Sequence, residues 1–183
     1  MNRFILAADP QDIPELMCDQ HVIKMITEEG QMLSSAIRQH MPNFASQHDA
    51  GLFNTSPNSG YSRHPCTRWA ADNKANFEWA IDLFFHMSVE YTCRFGTEHG
   101  TQTRLGGLLL LAITCDEYGV SFPDGKLTSH PQCFGNLQQA CETTEWWPVQ
   151  AYRTYYRHKQ STFKKPMRWT SQSQPSFMYE VST

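Results

Sequence analysis

Residues 12–38, DIPELMCDQHVIKMITEEGQMLSSAIR, decide the fold class. Apolar side chains recur in this stretch at spacings of three and four, which is the period of an amphipathic helix. Asp12 and Pro14 supply a helix-start signal, because one is a capping side chain and the other suits the first turn. The stretch therefore predicts a helix from Ile13 to about Arg38.

The rest of the chain shows the same period and no alternating strand pattern. Three further helices are predicted, over residues 65–95, 101–118 and 148–160. Gly96 is placed to end the first of these, as glycine commonly does. Two segments rich in polar and turn-forming residues are predicted to be long loops, residues 41–63 and 119–131. We therefore predict a mainly α protein, with residues 1–183 forming a single compact helical domain with long loops.

The net charge of −3 conceals an asymmetry along the chain. Residues 1–145 hold 9 Lys and Arg against 17 Asp and Glu, a net −8, whereas residues 146–183 hold 6 against 1, a net +5. Aromatic residues lie between the cations of this basic C-terminal segment, a composition that suits a phosphate backbone and stacked bases. A solvated amphipathic helix followed by a tail explains the segment equally well.

The sequence does not favour a membrane protein or a protein stabilised by disulfides. The longest apolar run, residues 105–113, is too short to span a bilayer, and the N-terminus lacks the features of a signal peptide. The six cysteines show no dense spacing pattern, so most are expected to be free thiols. We expect a soluble intracellular protein with no membrane partner.

His21, Lys24 and Glu28 fall on one stripe of the first helix, because their spacings are three and four. Apolar neighbours imply that the stripe borders the core, where it would line a cleft with perturbed pKa values. The simpler interpretation is a solvent-facing helix with a Lys24–Glu28 pair, worth a few tenths of a kcal/mol.

Two pairs of soft ligands, Cys18 with His21 and His64 with Cys66, would form a tetrahedral zinc site if the helix start met the loop end. Such pairs are a weak signal. Buried thiols and a capping histidine are the preferred interpretation, so we predict no metal and no cofactor.

A third polar group, containing Arg63, Arg68 and Lys74, lies where the loop enters the second predicted helix. A helix N-terminus with nearby cations suits phosphate binding. Ordinary helix capping is the alternative.

The order of these motifs resembles the phage pyrimidine-dimer DNA glycosylase/AP lyase superfamily. MNRFIL at the N-terminus is similar to that family's opening M-T-R-I-N-L, and D-Q-H at 19–21, followed seven residues after the histidine by Glu28, matches its catalytic block. EYTCRFG at 90–96 resembles the family's E-x-x-x-R-G with one residue inserted. YRTYYRHK at 152–159 resembles the family's aromatic and basic C-terminus, and His64-Pro65 resembles the His-Pro of its distant members. The resemblance covers about half of the chain.

The resemblance implies a phage-type N-glycosylase with an AP-lyase step, acting on a flipped pyrimidine in DNA in the cytoplasm of an infected host. In this family an N-terminal amine attacks C1′ and a glutamate stabilises charge, which assigns those roles to Met1 and Glu28. His21 would orient Glu28 or the amine. Asn2 stands where the family has the threonine that becomes its N-terminal residue. Two alternatives therefore stay open: Lys24 is the nucleophile, or the lyase step is absent.

The expected partner is single- or double-stranded DNA. The residues predicted to bind it are Arg3, Arg63, Arg68, Lys74, Arg153, Tyr155, Tyr156, Arg157, Lys159, Lys164, Lys165 and Arg168. Two alternatives stay open beside DNA repair. One is a DNA-modifying transferase on the same scaffold, which joins an amine or amino acid to a hydroxymethyl-pyrimidine. The other is a DNA-binding accessory protein without catalysis.

Overall fold

The structure, a computed structural model, describes residues 2–55, 60–114 and 122–179. Within these ranges the regular structure is helical and includes no strand, so the mainly α prediction is confirmed. The α-helices are α1 (Ile13–Leu16), α2 (Asp19–His40), α3 (Pro42–Gln47), α4 (Gly60–Arg63), α5 (Pro65–Asp72), α6 (Lys74–Phe95), α7 (Gly100–Thr114), α8 (Gln138–Cys141) and α9 (Val149–Gln160). No helix in these ranges has the length and apolarity of a membrane span.

The first predicted helix is divided between α1 and α2. Met17 and Cys18 are extended, with φ/ψ of −78°/142° and −70°/160°. The buried guanidinium of Arg94 donates hydrogen bonds to the carbonyl oxygens of Pro14, at 3.1 Å, and Met17, at 2.8 Å. It also pairs with the Asp19 carboxylate at 3.1 Å. The prediction of one continuous helix is wrong here because this distant side chain satisfies the carbonyl groups that end α1.

The second predicted helix is interrupted at Asn73, which is extended with φ/ψ of −158°/169° and separates α5 from α6. Its side chain accepts a hydrogen bond from the backbone N–H of Asn76 at 3.0 Å, which caps the start of α6. Gly96 ends α6 in the left-handed conformation, with φ of 70°, as predicted.

The two predicted loops have different outcomes. The segment 41–63 is not one long loop, because it contains α3 and α4, although residues 56–59 lie outside the described residues. The described part of the second loop, residues 122–131, is free of regular structure. Helix α7 is described as far as Thr114, so its predicted end near residue 118 lies outside the described residues.

Helix α2 lies at the centre and packs against α5, α6 and α7. The N-terminal segment, residues 2–6, runs beside it, and Phe4, Ile5 and Leu6 are buried. Helix α9 packs on this segment through Tyr155 and Tyr156, whose rings contact that of Phe4.

The chain after α9 is not a free tail. Met167, Trp169 and Phe177 are all buried in the core. The indole N–H of Trp169 donates to the carbonyl oxygen of Leu16 at 3.1 Å. The interpretation of the basic C-terminal segment as a solvated tail is therefore wrong for these residues.

Candidate active site

A cleft of about 270 Å³ opens between the N-terminal segment, α2 and α9. Helix α2 contributes His21, Lys24 and Glu28 to its wall, so the stripe predicted from sequence spacing does border a cleft. The N-terminal segment contributes Asn2, and α9 contributes Lys159. Polar groups from three parts of the chain therefore converge on one small concave surface, as in many binding sites.

Glu28 lies in the wall of this cleft, with its side chain 11% exposed. Its Oε2 accepts the backbone N–H of Asn2 at 3.0 Å, and its Oε1 pairs with Nζ of Lys24 at 3.0 Å. Lys24 itself is 64% exposed. The carboxylate is thus held beside the N-terminal segment, and the exposed Lys24 lines the same cleft.

Asn2 connects the N-terminal segment to the opposite side of the cleft. Its side-chain amide donates to the carbonyl oxygen of Cys133 at 2.8 Å, and its Oδ1 accepts the backbone N–H of Arg3 at 2.8 Å. The preceding residue, Met1, whose amine the family resemblance implicates, lies outside the described residues.

Arg3 does not face the cleft. Its side chain is 1% exposed and forms a bidentate ion pair with Glu29, in which Nε donates to Oε2 at 2.9 Å. The guanidinium also lies over the Trp69 ring, 5.1 Å from its centroid. Arg3 was predicted to contact DNA, and that prediction is wrong because the side chain is buried and neutralised. It instead anchors the N-terminal segment to α2.

His21 is held by a tyrosine from α9. The Tyr156 hydroxyl accepts the backbone N–H of Cys18 at 2.9 Å and shares a hydrogen bond of 2.7 Å with Nδ1 of His21. Burial, then the charges of Lys24 and Lys159, lower the pKa of His21 to about 3. The ring is therefore neutral near pH 7.

The role of Tyr156 differs from the one predicted. It was expected to stack on a DNA base, but the residue is 0% exposed, and burial raises its pKa well above the usual value. That prediction is wrong, since a fully buried ring has no face for a base. The hydroxyl orients His21 instead.

A His/Cys/Cys cluster lies at the edge of the cleft. Ligand atoms of His64, Cys66 and Cys133 lie within 4.8 Å of one another, and the two sulfur atoms are 3.8 Å apart. Burial raises the pKa of the Cys66 thiol, whereas a hydrogen bond from that thiol lowers the pKa of Cys133. Among the described residues this is the one group with metal-ligand geometry.

This cluster corrects the zinc quartet considered from the sequence. Cys18 and His21 are not part of it, because Tyr156 holds both of them at the start of α2. Cys133 replaces them. Sequence reasoning missed it because it lies 67 positions after Cys66 and belongs to no spacing motif.

The arginines and the lysine of α9 are all half-buried, and they differ in their contacts. Nε of Arg153 donates to the carbonyl oxygen of Leu6 at 2.9 Å, and Arg157 donates to that of Phe177 at 3.1 Å. Both side chains therefore fasten the fold, which removes much of their capacity for the predicted phosphate contacts. The ammonium of Lys159 lies over the Tyr155 ring, 5.2 Å from its centroid, at the cleft.

The other predicted DNA contacts are on the surface. Lys164, Lys165 and Arg168, after α9, are exposed. Arg63 and Arg68 are also exposed and line a separate cavity of about 600 Å³. Lys74 is 60% exposed and 3.8 Å from Glu78 on the same helix.

Comparisons of the chain with protein-family models, with curated proteins and with solved structures found no match.

Proposed function

We propose that the protein is an N-glycosylase that removes a pyrimidine base from DNA. The observation that carries the proposal is the position of Glu28, in the wall of a cleft and hydrogen-bonded to the backbone of Asn2. This is the arrangement that the DQH-to-glutamate motif implies, with the carboxylate beside the start of the chain. The cleft, at about 270 Å³, lies just below the ~300–1,000 Å³ of drug-sized ligand pockets, so it suits a single flipped base.

The chemistry assigned to Glu28 is stabilisation of positive charge on the sugar. In this reaction an amine nitrogen forms a bond to C1′ while the C1′–N bond to the base breaks. The departing base keeps the electron pair and takes up a proton. The carboxylate of Glu28 stabilises the oxocarbenium character that builds at C1′, as in glycoside cleavage. Its fixed position means that little reorganisation is needed in the transition state.

The nucleophile is an amine close to Glu28. The resemblance implicates the α-amine of Met1, and the structure offers Nζ of Lys24, 3.0 Å from the carboxylate, as a second amine. The neutral His21 ring lines the same cleft, and its hydrogen bond to Tyr156 engages Nδ1 and leaves Nε2 for a ligand. A neutral imidazole nitrogen suits hydrogen bonding to the polar edge of a pyrimidine.

DNA binding is assigned to the surface beside the cleft. Lys159 lines the cleft, and Lys164, Lys165 and Arg168 follow it on the exposed chain. Four cations in this short stretch suit the phosphates that flank a flipped nucleotide. Their contribution is to affinity rather than to chemistry.

Glu28→Gln tests the proposal directly. Oligonucleotides with candidate lesions and modified pyrimidines are assayed for base release, and abasic DNA is assayed for borohydride-trapped covalent complex. We expect the variant to lose base release by about 10²-fold or more, since a charged transition-state contact is removed, and to keep its DNA affinity. Glu15→Gln is the matched control, because Glu15 is exposed on α1. Unchanged base release in Glu28→Gln would refute the assignment.

The identity of the amine is tested separately. Acetylation of the α-amine is expected to eliminate borohydride trapping while Lys24→Ala leaves it in place, if the α-amine attacks. The reverse pattern assigns the attack to Lys24. Base release without trapping in the unmodified protein would indicate a glycosylase with no lyase step. A mass added to the DNA without base release would instead support the base-modifying transferase.

A further inference from the structure

Three soft ligand groups meet where α5 begins. His64 immediately precedes α5, Cys66 lies in its first turn, and Cys133 comes from the chain before α8. Imidazole and thiolate groups are the ligands that Zn²⁺ prefers in proteins. These three groups are therefore candidate ligands for a Zn²⁺ ion.

The separation of the two sulfur atoms fits that geometry. In a tetrahedral site with Zn–S bonds of about 2.3 Å, two sulfur ligands lie about 3.8 Å apart. The sulfur atoms of Cys66 and Cys133 are 3.8 Å apart. The same geometry places a nitrogen ligand about 3.6 Å from each sulfur. The ligand atoms here lie within 4.8 Å of one another, so the His64 ring needs to move by only about 1 Å.

The Cys133 ligand is positioned by a fixed hydrogen-bond shell. Its backbone N–H donates to the Tyr152 hydroxyl at 3.3 Å, and that hydroxyl donates to the carbonyl oxygen of Pro131 at 2.7 Å. The Asn2 side chain holds its carbonyl oxygen at 2.8 Å. Metal sites depend on such outer contacts to orient their ligands.

His64 also presents a lone pair at this point. Its Nδ1 accepts the backbone N–H of Cys66 at 3.2 Å, so this nitrogen is unprotonated and faces the start of α5. Metal binding through Nδ1 would replace this hydrogen bond. It would not require a proton to be removed from the ring.

We propose that His64, Cys66 and Cys133 bind one Zn²⁺ ion and leave its fourth tetrahedral position open to the cleft. His64 and Cys133 line the cleft, whereas Cys66 is buried behind them, so the unfilled position faces the cleft that contains Glu28. Three protein ligands and one open position are the pattern of catalytic rather than structural zinc sites. Two thiolates balance the charge of the ion. The proposal does not depend on the glycosylase chemistry.

Metal content is the direct test. The full-length protein is kept reduced, loaded with Zn²⁺, dialysed and measured by mass spectrometry for metal per chain. We expect about one Zn²⁺ per chain in the wild type and less than about a tenth of that in Cys133→Ser and in His64→Gln. Cys141→Ser and His158→Gln are the matched controls, because neither residue belongs to the cluster, and both should keep the ion.

Cobalt substitution supplies a second measurement. Co²⁺ bound by thiolates gives a sulfur-to-metal charge-transfer band, which should appear in the wild type and weaken in Cys133→Ser. His64→Gln should leave the helical circular dichroism unchanged, so loss of metal there cannot be ascribed to unfolding. Absence of bound metal in the reduced wild type would overturn the proposal, as would full metal content in both ligand variants. A disulfide between Cys66 and Cys133 that persists under reducing conditions would also overturn it.

Discussion

The buried, neutral His21 makes the stability of the fold depend on pH. Its pKa is about 3 in the folded protein, against 6.5 for an ordinary histidine. Between these values the unfolded chain binds a proton that the folded protein does not, so the free energy of unfolding falls as the pH decreases below 6.5 and is unaffected above it. From about pH 7.5 to about pH 5, His21 alone should lower that free energy by about 2 kcal/mol.

His21→Gln isolates this effect. Urea unfolding, followed by tryptophan fluorescence at both pH values, should show an acid-dependent loss about 2 kcal/mol smaller in the variant than in the wild type. Burial also lowers the pKa of His130, which adds to the slope equally in both proteins. His158→Gln, at an exposed position, should retain the wild-type slope. An identical acid-dependent loss in His21→Gln and the wild type would show that His21 is not buried as a neutral ring.

Three further predictions concern packing, a buried charge and the basic surface. Gly30→Ala should destabilise the protein by about 1–3 kcal/mol in thermal unfolding, because the added Cβ would lie 2.8 Å from the Thr101 side chain. The control Gly107→Ala, whose Cβ would meet nothing within 4 Å, should stabilise the protein by about 0.5–1 kcal/mol. Arg94→Met should cost about 3–5 kcal/mol, since it leaves the carboxylate of Asp19 without its cation and the carbonyl oxygen of Met17 without the guanidinium donor, and a loss below about 1 kcal/mol would contradict that role. The triple alanine variant of Lys164, Lys165 and Arg168 should lower the salt slope of DNA binding by about 2–3 units in titrations. The control Lys126→Ala should lower it by about one unit or less.

The helices could be predicted because burial along a helix follows a local period. That period extends through Met17 and through Asn73, so it gave no sign that either helix was interrupted. The first interruption depends on Arg94, which lies 77 positions from Met17 and satisfies its carbonyl group. The second depends on the extended backbone and side-chain cap of Asn73. Local patterns do not contain such long-range partners.

The sequence likewise predicted the local arrangement of the candidate site but not its long-range contacts. The spacing of His21, Lys24 and Glu28 placed all three on one wall of a cleft. The partners that define their chemistry come from elsewhere in the chain, as Tyr156 does for His21. Cys133 likewise joined the cluster through tertiary structure alone. The local sequence around Arg3 did not predict that its side chain is buried, because the burial depends on the ion pair with Glu29 in α2.

The contacts between the two ends of the chain have a consequence for protein synthesis. The hydrogen bonds from Arg153 to Leu6 and from Trp169 to Leu16 join residues 147 and 153 positions apart. Contacts of such high contact order form late, and here they cannot form until Arg153 and Trp169 have left the ribosome. A nascent chain that stops before α9 would leave Phe4 and His21 without their tyrosine partners. The cleft is therefore assembled only after α9 has been synthesised, so chains truncated before α9 should lack the cleft and be prone to aggregation.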